Sequence, residues 1–134
     1  MPLGESIQES NGKITGVRVL SADGKVEASF QGSGKLLGVE INEFYTAIIS
    51  PQQGGALFME GNGIITSKDG KDSESLKFQG VGRALGAGFK ARYYGGTFGQ
   101  TTSPKFAKLN NAMTVWEVDV DEAGNWHLKI WEWK

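Results

Sequence analysis

Apolar and polar residues alternate with a period of two along most of this chain, and no 3.6-residue stripe competes with that pattern. Val26, Ala28 and Phe30 share one strand face, while Glu27, Ser29 and Gln31 share the other. Ile14–Leu20 precedes them, and Ser21–Gly24 supplies a turn in which glycine takes positive φ cheaply. Gly32–Gly34 reads as a break before a long extended run, Lys35–Ser50, which Pro51–Gly55 closes. Six further runs follow: Ala56–Glu60, Ile64–Ser67, Glu74–Gln79, Phe89–Tyr94, Ala112–Val120 and Trp126–Trp133. The turns between them are Gly61–Gly63, Lys68–Asp72, the glycine-studded Gly80–Gly88, and Asp121–Asn125. Eight or nine strands with short hairpin connections predict an all-β chain, either a sandwich or an antiparallel up-and-down barrel of about eight strands. The barrel is expected to span residues 1–134 as one domain, with 1–12 as an irregular lead-in. An open sandwich gives the same alternation. One polar stretch, Gly95–Asn111, breaks the pattern. Connections longer than about 12–15 residues are usually functional or ordered by their own contacts. Phe98 and Phe106 are expected to tuck back onto the sheet, with a short helical turn around Lys105–Asn110.

Composition narrows the chemistry. The 20 glycines against 3 prolines in 134 residues suit tight turns and few helices. No cysteine is present, which excludes disulfides, thiolate metal sites and cysteine nucleophiles together. His127 is the single histidine, so a Ser-His-Asp triad or a histidine-based metal site has too few parts. Asp119–Gly124 resembles a calcium loop only superficially, because Ala123 and Ile130 stand where oxygen ligands are needed. Gly80–Gly86 misses the dinucleotide spacing by one residue, and no phosphate-binding P-loop occurs. No cofactor or metal is therefore expected. A net charge of −1 argues against nucleic acid as a partner. The first residues lack the basic-then-apolar order of a secretory signal, and the longest apolar stretch, near Phe44–Ile49, is far too short to span a membrane as a helix. A cytoplasmic protein without membrane association is the expectation.

Strand parity then singles out candidate site residues. In the long run, Leu37, Val39, Ile41, Glu43, Tyr45, Ala47 and Ile49 share one face, which is apolar except for Glu43. A carboxylate on a core face is costly unless paired, and its pKa rises. Glu43 is thus a candidate general acid/base or hydrogen-bonding anchor for a ligand. A β-bulge near Asn42 would instead turn it to solvent. Phe89, Ala91 and Tyr93 are expected inward, as are Trp116, Val118 and Val120, with Trp126, Leu128, Ile130, Leu76 and Phe78. Buried Tyr and Trp require partners for O–H and N–H, so Tyr45, Tyr93 and Trp116 are candidates to line a small-molecule cavity, or they simply fill the core. Trp131 and Trp133 fall on the opposite face of the last strand. They form either a homo-oligomer interface or a surface covered by another segment of the chain.

The order of these features resembles the allene oxide cyclase-like barrels, which include small bacterial proteins of unassigned function and, more distantly, plant allene oxide cyclases and dirigent proteins. The resemblance rests on Gln31–Gly34, the long strand, Pro51–Gly55, Phe58–Gly61 and Thr101–Asn111, where Phe106 and Leu109 fit and Pro104 and Asn111 replace expected glycines. It covers residues 26–125 and carries over no catalytic residue. It favours the barrel over the sandwich, and implies an eight-stranded antiparallel up-and-down barrel, often oligomeric, with a small apolar cavity at one mouth. Three functions follow for such a chain: a binding barrel for a small, largely apolar molecule, with Glu43 as polar anchor; a cyclase or isomerase on the same cavity; or a filled barrel that works through its outer surface.

Overall fold

Eight antiparallel strands pair in sequence order, and β1 closes the ring against β8. The computed structural model describes residues 3–134. The strands are β1 (Leu3–Val19), β2 (Val26–Leu36), β3 (Val39–Pro51), β4 (Ala56–Ser67), β5 (Ser73–Ala84), β6 (Ala91–Gln100), β7 (Thr114–Val120) and β8 (Asn125–Trp133). Short 3-10 segments interrupt them at Gln53–Gly55 and Pro104–Asn111. Closure pairs every edge, so no strand is left as a template for aggregation. An open sandwich is thereby excluded.

The strands are longer than the alternation alone indicates. Residues 3–12, expected as an irregular lead-in, form the first half of β1 and pair with both β2 and β8. Residues 1–2 of that lead-in lie outside the described residues. Gly32–Gly34 does not break the chain, because β2 runs through it to Leu36. The turn comes directly after Leu36, at Leu37 (φ 50) and Gly38 (φ 81). Leu37 is the described chain's non-glycine residue at positive φ, held there while its half-buried side chain packs on the core. Gly61–Gly63 likewise lies inside β4 and not at a turn.

These in-strand glycines make room. Trp126 on β8 faces Gly12 on β1, and Gly12 faces Gly32 on β2. A Cβ at Gly32 would sit 2.7 Å from the Trp126 ring, and one at Gly12 would sit 2.6 Å from Trp126 Cε2. Trp116 uses Gly80 in the same way, at 2.8 Å, and Tyr45 uses Gly63, at 2.7 Å. The barrel interior therefore holds aromatics that a uniformly substituted sheet would exclude. Phe30, Trp126, Tyr45, Phe78 and Trp116 form a continuous chain of ring contacts, with centroid separations of 6.0–6.3 Å. Three of the four contacts are edge-on, a geometry that adds about 0.5–1.5 kcal/mol per pair beyond area burial.

The segment Pro104–Asn111 packs across the start of β5 and the end of β6. Thr101 Oγ1 donates to the Ser73 carbonyl, and Ser73 N donates to Ser103 Oγ at 3.0 Å. Phe106 and Leu109 are buried in the core from this side. Phe106 thus tucks back as expected, whereas Phe98 faces outward on β6 and is exposed. Phe89, expected inward, lies in the loop before β6 and is exposed as well.

Candidate functional site

Glu43 points into the barrel. No bulge interrupts β3, whose pairing with β2 and β4 is continuous past Asn42, and the side chain is 0% exposed. Gln8 Nε2 donates to Glu43 Oε1 at 2.8 Å, and the Tyr45 hydroxyl donates to the same oxygen at 2.6 Å. Gln8 Nε2 also reaches Ser10 Oγ and Tyr45 Oη, each at 3.3 Å. Glu43 Oε2 is buried with no partner. Burial raises the carboxyl pKa and outweighs the polar neighbours Ser10, Tyr45 and Gln8, which pull it down. Burial also raises the Tyr45 phenol well above its ordinary range, with the adjacent Glu43 adding to the effect.

Above this network lies an apolar cavity of about 50 Å³, ringed by Phe30, Tyr45, Phe78, Trp116 and Trp126. Tyr45 and Trp116 line it as the sequence suggests, and Trp126 joins them. Glu43 does not line it and meets it only through Tyr45. Tyr93 is buried, with its phenol pKa raised by burial, but it lies outside the cavity, its ring packed across Gly82. The indole Nε1 atoms of Trp116 and Trp126 are buried without partners.

A second acid, Glu74, went unremarked in the sequence, although it shares a face with the inward Leu76 and Phe78. It is 7% exposed, and its carboxyl lies across Gly99 of the neighbouring strand, where any Cβ would collide with it. Burial pushes its pKa up to about 7. Glu74 faces a void of about 10 Å³ together with Gln8, Thr97, Thr114 and Leu109. Thr97 and Thr114 hydrogen-bond to each other through their hydroxyls. Ile65 on β4 pairs with both Glu43 and Glu74, so one strand separates the two acids.

No protein-family model matches the sequence, and no curated protein matches it. The fold is similar to several solved barrels. A beta-barrel-like protein from Acinetobacter baumannii AYE aligns at TM-score 0.78 and 12% identity, covering 100% of this chain and 98% of its own. A conserved protein of unknown function from Rhodopseudomonas palustris aligns at 0.77 and 11%, covering 97% of each chain. A protein of unknown function from Clostridium acetobutylicum ATCC 824 aligns at 0.77 and 12%, covering 97% and 98%. At these identities the likeness establishes an all-β, eight-stranded up-and-down barrel and nothing of activity.

Proposed function

We propose that this barrel binds a small, largely apolar molecule in its interior. The observation that carries the reading is the apolar cavity lined by Trp116 and Trp126, each with a buried indole Nε1 left without a partner. Buried polar groups are satisfied in more than roughly nine cases in ten, so two orphans in the lining of one cavity mark a place where an occupant completes the hydrogen bonding. The volume sets the scale. At about 50 Å³ the cavity is well below the roughly 150 Å³ that takes up benzene, so the occupant has only a few heavy atoms. Binding without turnover is favoured over a cyclase or isomerase, because Glu43 has no direct face on the cavity. The resemblance to allene oxide cyclase-like barrels belongs to the same proposal and supports the interior as the working part of the molecule.

Native mass spectrometry of the protein purified from its own host tests this reading. A stoichiometric small adduct, released on denaturation, is expected. An empty barrel that also takes up neither xenon nor short-chain alcohols in NMR titrations overturns it.

A second reading rests on the outer wall, where Phe98, Met113 and Trp133 are all exposed. Under it the chain assembles with a second copy of itself through the Trp131/Trp133 strand. The same mass spectrum reports the subunit count.

A further inference from the structure

We propose that Glu74, with Gln8, Thr97 and Thr114, forms a head-group pocket for a small primary amine whose alkyl body lies in the apolar cavity. This rests on the interior-binding reading and names the ligand class for it.

Three observations lead there. First, the two voids are neighbours: Leu76, Thr97 and Ile130 line both the apolar cavity and the polar one. The polar void, about 10 Å³, matches a single water-sized group, the size of an ammonium head. Second, Glu74 faces that void, is more than nine-tenths buried, and its carboxyl makes no hydrogen bond among the described residues. Gly99 keeps the space that its carboxyl occupies. Third, the charge is one-sided. The ionisable side chains lining the two voids are Tyr45 on β3 and Glu74 on β5, and the half-buried Glu132 on β8, opposite Thr114, already has Lys134 Nζ at 3.9 Å. Lys105 on the 3-10 segment is exposed and sits 3.9 Å from Asp72. Lys108 on the same segment is exposed too.

Glu74, a buried acid without a compensating base, favours a cationic occupant over a neutral one once it ionises. An ammonium brings three donors and no acceptor, and the pocket offers carboxyl and hydroxyl acceptors around one small space. An anion such as a carboxylate would be repelled by the ionised Glu74.

The test is titration of the intact protein with ethylamine, propylamine and butylamine, and with the alcohols of the same chain lengths, followed by NMR shifts of the Thr97, Gly99 and Thr114 amides. Amines are expected to bind about tenfold more tightly than matched alcohols, the scale of one charge-assisted contact. Glu74→Gln is expected to remove that preference while alcohols still bind. In wild type the amine-to-alcohol ratio should rise as pH passes upward through the Glu74 midpoint of about 7. This arm requires no variant and stands even if Glu74→Gln fails to fold. Alcohols binding as well as amines, or a ratio independent of pH, overturns the head-group assignment and leaves interior binding intact. Failure of both series overturns interior binding and the amine pocket together.

Discussion

The Tyr45 hydroxyl donates to Glu43 Oε1 at 2.6 Å from two residues along the same inward face of β3, and Gln8 Nε2 reaches that same oxygen at 2.8 Å from β1. Both donors converge on one oxygen and leave the other bare, an arrangement that suits a neutral carboxyl better than a buried carboxylate. Glu43→Gln keeps an acceptor in place, so it is expected to cost less than about 1.5 kcal/mol. Glu43→Ala strands two buried donors and opens a cavity, and is expected to cost about 3 kcal/mol or more. Urea unfolding of both variants near neutral pH measures the difference. Equal losses would mean that the hydrogen-bonded network contributes nothing beyond packing.

The buried acids set the pH dependence of stability. The folded-state pKa of Glu74, about 7, lies above the ordinary 4.5, so the native state holds this proton more tightly than the unfolded chain. The stabilisation is complete below 4.5 and is lost as pH rises towards about 7. The loss amounts to about 3 kcal/mol, and the raised pKa of Glu43 acts in the same direction. Asp23, Asp69 and Asp121, each lowered chiefly by side-chain hydrogen bonds in exposed turns, act oppositely and only below the ordinary 3.8. Denaturant midpoints taken across this range are therefore expected to fall from mildly acid to neutral pH, and Glu74→Gln to flatten the curve. A midpoint that rises over the same interval would contradict the assignment.

Glycine positions separate room from flexibility. At Gly12 a new Cβ lands within the Trp126 indole, with the Gln31 carbonyl equally close, whereas at Gly16 on the same strand nothing lies within 4 Å. Gly12→Ala is expected to destabilise by at least the roughly 1–3 kcal/mol of core overpacking. Gly16→Ala is expected to stabilise by about 0.5 kcal/mol, since a less flexible unfolded chain loses less entropy on folding. Thermal melts of the two single variants give the comparison directly. Similar effects at both positions would mean that the glycines serve the backbone and not the tryptophan.

This distinction also explains how far the sequence could be read. Parity survives errors in strand ends, which is why the sequence alone turns Glu43, Tyr45, Trp116 and Trp126 inward. The first half of β1 escaped notice because its inward residues, Gln8 and Ser10, are polar and erase the apolar alternation. They are polar because they face Glu43 and each other. The site itself hid the strand that builds it. Gly32–Gly34 and Gly61–Gly63 looked like turns because glycine chemistry in a sequence does not separate a bend from a seat for an aromatic ring. The true turn at Leu37–Gly38 was masked by a leucine at positive φ. Glu74 needed only the i, i+2 rule already applied to Leu76 and Phe78.

The outer wall gives the last prediction. Phe98 on β6, Met113 just before β7 and Trp133 on β8 are exposed, and Trp133 N donates to the Met113 carbonyl at 2.7 Å, which ties two of the three together. Trp131, in front of which Lys129 Nζ lies 5.5 Å from the ring centroid, pairs across the strands with the half-buried Val115. Exposed apolar side chains grouped at neighbouring strands commonly mark association sites, and a second copy of the chain is the partner proposed for the tryptophan strand. Sedimentation velocity across a concentration series should show reversible association. The paired substitution Phe98→Glu with Trp133→Glu should hold the chain monomeric at every concentration, since two carboxylates per copy would then face each other across a two-fold contact. Both positions are exposed, so the variant is expected to keep its fold, which the thermal melt checks. A wild-type chain that sediments as a monomer throughout would assign these side chains to no self-interface.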